Sequence, residues 1–318
     1  MPDSTTDRRA DAIEPLARRR AILAVALASA LAPAGRAAAA TGGPQTFGTG
    51  LLWRVSRQGK PDSYVFGTIH LADVRVASPP PAALAALERS RYYAMEIAVD
   101  AMVDSSVFDL EQLADDRRLE PLIGEDAYVQ TKAILLERGV SERVIEHMKP
   151  WAAMLAVASA GSHDASLALD SRLLAAARQA HLRLEALEWV EEQIASFDTI
   201  PLQSQVALLK NALDNPGALK AENETMIRAW LKQDLTELVR FPDRMGSLFP
   251  GMTQPYRELL RHLVYDRTVL MRHRLTLPLR GGRVFVAIGA AHLQGEKGLL
   301  ALLAQDGYRV TRMDLKRA

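Results

Sequence analysis

The sequence predicts an α/β fold of α+β character: a mixed central β-sheet built from strand-rich halves at the two ends of the chain, with a large helical insertion between them. Three observations predict it. Ser63-Tyr-Val-Phe-Gly67 and Val284-Phe-Val-Ala-Ile-Gly289 are apolar runs, rich in β-branched and aromatic residues and bounded by turn residues, the pattern of buried strands. Between them, from about residue 101 to 279, apolar residues recur at three-to-four spacing, as in Ile134-Leu135, Leu155, Leu173-Leu174 and Leu208-Leu209, which is the helical period. At 318 residues and 48% hydrophobic content, the chain can bury a sizeable core.

Taken in order, residues 1–40 read as an export signal. A polar start ends in Arg18-Arg19-Arg20, an apolar stretch follows through Ala32, and Arg36-Ala-Ala-Ala-Ala40 offers small residues for cleavage. The apolar stretch is shorter than the roughly 20 residues of a spanning helix, so no stable membrane anchor is expected once the signal is removed. The expected mature domain is residues 41–318, in the periplasm or secreted. Formal net charge is +1, which gives no reason to expect nucleic acid as a partner. Cysteine is absent, so disulfides, thiolate chemistry and a cysteine-ligated zinc site are excluded.

Leu51-Leu-Trp-Arg-Val-Ser-Arg alternates like a strand, and Gln58-Gly59-Lys60-Pro61-Asp62 supplies the turn into a second strand over residues 64–69. Pro79-Pro80-Pro81 starts a helix over residues 82–91, which returns the chain to a third strand, Tyr92-Tyr93-Ala-Met95-Glu96-Ile97-Ala-Val99. Inside the helical insertion only Leu182-Arg-Leu-Glu-Ala-Leu187 resembles a strand.

Polar residues stand out against this apolar pattern. His70 and His292 each follow a strand-ending glycine by three residues, and imidazole is the commonest metal ligand and the usual general base near neutral pH. Glu96 falls mid-strand between two alanines, where a charge needs a cation, a metal or a proton unless the strand is a wet edge. Arg267 lies in the centre of the stripe Leu259-Leu260, Leu263-Val264, Leu270-Met271; buried there it implies a carboxylate or a substrate oxyanion beside it, at the stripe's margin it would snorkel. Replacing it with methionine is expected to change stability little or even raise it, while activity falls. Asp170 shares a face with Leu173, Leu174 and Ala177 and suits either a first-turn role or a site role. His147, His163, His181, His262 and His273 close no apolar strand and read as non-ligands.

Gly67-Thr-Ile-His70, Met95-Glu96-Ile97 and Phe285-Val-Ala-Ile-Gly289-Ala-Ala-His292-Leu-Gln-Gly295, with Gly307-Tyr-Arg-Val after them, resemble the TraB/GumN family over roughly residues 47–313. Asp170, Leu187-Glu188 with Gln193, and Arg267 are similar to further family positions. Trp189 stands where the family usually has threonine, and Thr268 where it often has asparagine. The family is related to the Tiki metalloproteases, and the resemblance implies that His70, Glu96 and His292 hold a divalent metal in a peptidase acting on a peptide or protein. Manganese, cobalt, zinc and iron all suit such donors. Glu96, Arg267 and Asp170 are the catalytic candidates, Arg267 as the group that steadies an oxyanion. The alternative reading is a metal- or haem-binding envelope protein without turnover.

Overall fold

The computed structural model describes residues 47–71, 73–97, 106–114, 116–158 and 169–316; the export segment and the third strand's continuation at Val99 lie outside the described residues. The fold is mixed α/β around one six-stranded sheet. Its strands are β1 (Leu52–Ser56), β2 (Ser63–Thr68), β3 (Tyr92–Met95), β4 (Arg183–Ala186), β5 (Val284–Gly289) and β6 (Arg309–Met313), in the spatial order β4-β3-β5-β2-β1-β6. β1 pairs antiparallel with β2 and with β6, while β2, β5, β3 and β4 run parallel to one another. The two ends of the chain therefore meet at the parallel β2–β5 ladder, where Tyr64 is aligned with Phe285 and Thr68 with Gly289.

Sequence chemistry accounts for these positions. All six residues of both β2 and β5 are buried, as expected for central parallel strands covered on both faces. Phe285 packs between Phe66 and Tyr93, with ring centroids 6.4 and 6.1 Å away, giving three adjacent strands a common aromatic layer. β4, on the edge of the sheet, has no buried residue, so it reads weakly as a strand; it is held by its ladder to β3.

The helices that bear on the site are α1 (Pro81–Glu88), α2 (Leu169–Gln179), α3 (Val190–Asp198), α4 (Pro216–Leu231) and α5 (Arg267–Gly281). α1 begins at Pro81, where the missing N–H costs nothing, and ends three residues short of the expected Arg91. Trp230 of α4 lays its indole on the sheet and donates to the Gly67 carbonyl at 3.0 Å. Directly before α5 the chain passes through a π-helical stretch, Arg261–Asp266.

One expectation about β3 needs correcting. Glu96 is not mid-strand: β3 ends at Met95, and Glu96 is the first residue beyond it. The expected alternation of Tyr93, Met95 and Ile97 against Ala94 and Glu96 therefore breaks where the strand stops. Burial holds all the same, because Glu188 N–H, after β4, donates to the Glu96 carbonyl at 2.8 Å and extends the β3–β4 pairing past the strands' ends.

Gly67 shows how tightly the strand ends are packed. A Cβ there would lie 3.0 Å from Ala290 Cα and 2.8 Å from Leu293 Cδ1, in the turn that carries His292. Gly67→Ala should destabilise the fold by about 1–3 kcal/mol, the usual cost of overpacking. Denaturant unfolding measures this; an unchanged midpoint would show that the turn yields freely.

Candidate functional site

The carboxyl ends of the four parallel strands converge, and each delivers one polar group: His70 after β2, His292 after β5, Glu96 after β3 and Glu188 after β4. Crevices at such strand ends are where open α/β sheets bind ligands. His292 lies in a 3-10 turn, Ala290–Leu293, that starts as soon as Gly289 ends the strand.

Glu96 is the hub. Its Oε1 accepts from the Gly289 backbone N–H at 2.6 Å and faces His70 Nε2 at 3.4 Å and His292 Nε2 at 3.7 Å. Its Oε2 accepts from Arg267 Nη2 at 2.7 Å. The two histidines, far apart in sequence, are thus each within 4 Å of a single oxygen atom of the glutamate.

Each imidazole is held from behind. His70 Nδ1 meets Asp170 Oδ2, from the first turn of α2, at 2.7 Å. His292 Nδ1 meets Thr268 Oγ1 at 2.7 Å. Asp170 therefore stands on the far side of His70 from Glu96, in both of the places expected for it, a first turn and the site. His292 Nε2 is buried and has no hydrogen-bond partner.

Arg267 is buried, not snorkelling, with only 3% of its surface exposed. It bonds Glu96 and also Glu188, through Nε at 3.0 Å and Nη2 at 2.6 Å, and its Nη1 donates to the Leu263 carbonyl at 2.9 Å. Of the two partners foreseen for it, carboxylate or oxyanion, the structure supplies carboxylates. Glu188 is the site residue that sequence reasoning matched to a family segment but gave no role. The available signal was an acid following Leu187 at the end of a strand, but the cation that pairs with it comes from a helix much later in the chain.

The charges of the site follow from burial set against neighbours. For His70 burial opposes protonation, but the charges and hydrogen bonds of Asp170 and Glu96 overcome it and raise the imidazole to about 10. For His292 burial dominates and the pKa falls to about 4, with Arg267 and His70 adding to the decrease against Glu96. Burial opposes ionisation of Glu96, yet its carboxyl is held well below the usual range by the positive charges around it. Those charges are His292, when protonated, then Arg267 and His70; above about 4, where His292 is neutral, Arg267 and His70 remain. Burial pushes Glu188 upward, against the pull of Arg267.

Whether the residues suit a divalent metal can be judged from these donors. Among the described residues no group of three or more His, Cys, Asp or Glu side chains forms a ready-made metal shell. Taken pairwise, both Nε2 atoms stand 3.4 and 3.7 Å from Glu96 Oε1. Metal–donor bonds of about 2.1 Å in a tetrahedron place donors roughly 3.4 Å apart. His292 Nε2 has no competing partner, and the His70 Nδ1–Asp170 contact is the kind of carboxylate support that orients metal-bound histidines. In donor chemistry, and in the distance of each histidine from Glu96, the residues suit a metal; His70 must give up its Nε2 proton to take one.

None of the other described histidines joins this group. Among the described ones, His262 is buried but bonded by Thr199 Oγ1 at 2.9 Å, and His147 contacts the Arg143 carbonyl. Trp151, Met154 and Trp230 are core residues, whereas Leu231 is half exposed. A cavity of about 330 Å³ lined by Arg57, Arg272, Arg280 and Tyr308, among others, includes none of the site residues.

Comparison with known proteins gives the family. A sequence model of the TraB/PrgY/gumN family matches residues 51–312. An uncharacterized protein YbaP of Escherichia coli is 26% identical over 245 residues, covering 76% of this chain and 87% of that protein. Metalloprotease TIKI1 of Danio rerio is 24% identical over 320 residues, covering 85% of this chain but only 64% of the relative, and metalloprotease TIKI1 of Homo sapiens is also 24% identical. No solved structure matches the chain.

Two outcomes follow from the buried charges. Arg267→Met strands two carboxylates with less than 5% exposure each, so it should cost about 3–5 kcal/mol, not the small change expected from the sequence. Adding Glu188→Leu should recover part of that loss; a single Arg267→Met variant as stable as wild type in urea would contradict the pairing. The histidines set a pH optimum in the metal-free protein. His70, raised from 6.5 to about 10, contributes stability present below 6.5 and lost as pH rises through 10. His292, lowered from 6.5 to about 4, contributes stability present above 6.5 and lost as pH falls through 4. Their combined contribution peaks near 6.5, with limbs no steeper than about 1.4 kcal/mol per pH unit each. Unfolding measured across pH should lose its alkaline limb in His70→Asn and its acid limb in His292→Asn.

Proposed function

The chain belongs to the TraB/PrgY/gumN family, and from that membership and the site we propose that it is an exported metal-dependent hydrolase that cleaves amide bonds in a peptide or protein. The observation that carries this reading is the approach of two imidazole Nε2 atoms to one carboxylate oxygen, with one of those nitrogens buried and unpartnered. Its relationship to proteins described as metalloproteases supports the metal and the peptidase class. The signal pattern in residues 1–40 supports export, with a mature chain starting near Thr41 outside the cytoplasm.

His70 Nε2, His292 Nε2 and Glu96 Oε1 would hold the ion, and three protein donors leave positions open for water and substrate. When bound, a divalent cation supplies a water of lowered pKa and polarises the scissile carbonyl. The chain's own residues prepare the rest. Asp170 fixes the His70 ring by accepting from Nδ1–H, and the Gly289 N–H and Arg267 hold Glu96 in one orientation from its two oxygens. Arg267 is occupied by Glu96, Glu188 and the Leu263 carbonyl, so it serves to keep Glu96 ionised and in place. Oε1 of Glu96 is the oxygen left facing the histidines, which makes it the carboxylate donor of the set. His70 and Asp170 are less deeply buried than His292 and Arg267, so substrate approaches from their side.

Metal analysis of the purified mature chain, followed by a peptide-library assay with and without chelator, tests the proposal. It should show about one divalent ion per chain, chelator-sensitive cleavage, and an N-terminus near Thr41. His292→Ala and Glu96→Gln should each lower cleavage by at least about 100-fold. Metal bound without any cleavage would move the reading to a non-catalytic metal- or haem-binding protein, and neither metal nor cleavage would end it.

A further inference from the structure

We infer that Thr268 is a positioning residue that fixes which nitrogen of His292 carries the proton, so that Nε2 presents a lone pair towards Glu96. The inference deepens the metal reading above, since a metal ligand needs that lone pair. π-helical turns are rare and concentrate at functional sites. Here the π-helical stretch Arg261–Asp266 leads directly into the two residues that touch the site from α5. Both turn back on the carbonyls four residues earlier, Arg267 to Leu263 and Thr268 to Val264, the latter at 2.7 Å.

A hydroxyl has one proton to give. Thr268 Oγ1 lies 2.7 Å from the Val264 carbonyl, which can only accept, so the hydroxyl proton goes there. Oγ1 is then left with lone pairs, and His292 Nδ1, also 2.7 Å away, must be a donor, towards Oγ1 and towards the Val264 carbonyl that the same hydroxyl bonds. A neutral imidazole carries a single N–H, so Nε2 has none. The opposite arrangement, with Thr268 donating to Nδ1, would deprive the Val264 carbonyl of this bond. It would also leave a buried Nε2–H 3.7 Å from its nearest acceptor, Glu96 Oε1, too far for a hydrogen bond. An unsatisfied buried donor costs about 1–3 kcal/mol, so the first arrangement is favoured. Thr268 and His292 are both fully buried, and water cannot substitute for the contact.

The role has a parallel on the other histidine. Asp170 Oδ2 lies 2.7 Å from His70 Nδ1 as Thr268 Oγ1 lies 2.7 Å from His292 Nδ1, so each ring is held through Nδ1 with Nε2 turned to Glu96.

Two readouts test this. In the metal-free full chain, ¹⁵N-resolved imidazole spectra report the tautomer of His292: wild type and Thr268→Ser should show Nδ1–H, and Thr268→Val should shift towards Nε2–H. Titration with cobalt(II), followed by its visible absorption, should show a 10–100-fold weaker Kd in Thr268→Val, with Thr268→Ser close to wild type. Thr268→Asn, whose amide can both donate to Val264 and accept from Nδ1, should also retain affinity. Nε2–H in wild type, or an unchanged tautomer and cobalt affinity in Thr268→Val, would overturn the inference. If wild type takes up no cobalt while the tautomer follows the hydroxyl as expected, the metal reading fails and the assignment to Thr268 stands.

Discussion

The Arg267 guanidinium, sealed from water between Glu96 and Glu188, ties the last long helix to the ends of two strands that the chain forms much earlier. A guanidinium cannot shed its charge, and the two carboxylates cannot be buried without it. Neither side of the pairing is tolerable alone, which makes the docking of α5 on the sheet specific as well as tight. Glu96 in turn accepts from the Gly289 backbone, so the same network fixes where β5 ends and the His292 turn begins.

Sheet topology explains why one carboxylate can serve two histidines. β5 is inserted between β2 and β3, so the residues that follow the three strands emerge side by side. Parallel alignment directs all of them to the same edge. Close packing then brings the turns together: Gly67 leaves no room for a side chain beside Ala290 and Leu293.

Identical side chains acquire opposite properties in this setting. Both His70 and His292 are removed from water, which by itself disfavours the charged ring. His70 has two carboxylates against its two nitrogens and stays protonated; His292 has a hydroxyl on one side and a distant carboxylate on the other, and is neutral. The site in its metal-free form thus pairs a proton-bearing imidazole with one that has an open lone pair. That combination suits exchange of a proton for a divalent cation, and it is the basis of the hydrolase reading.

The sequence by itself determined the strand-rich ends and the helical middle, and it marked His70, Glu96, His292, Asp170 and Arg267 as polar residues in apolar or strand-ending contexts; for Asp170 and Arg267 that patterning left a purely structural role equally open. It did not determine that Glu96 lies just past its strand, since an apolar residue such as Ile97 continues the alternation after the hydrogen-bond ladder has stopped. Glu188 was readable only as part of a family segment, with no role: it follows an edge strand with no buried residue, and its burial depends on an arginine 79 positions later. Thr268 was readable only as a departure from a family pattern, and the π-helical turn before it differs too little from an α-helix over six residues to mark the sequence. Which nitrogen faces which oxygen is decided by tertiary structure alone, because hydrogen bonds act over about 3 Å and no local sequence rule brings together atoms that the chain separates.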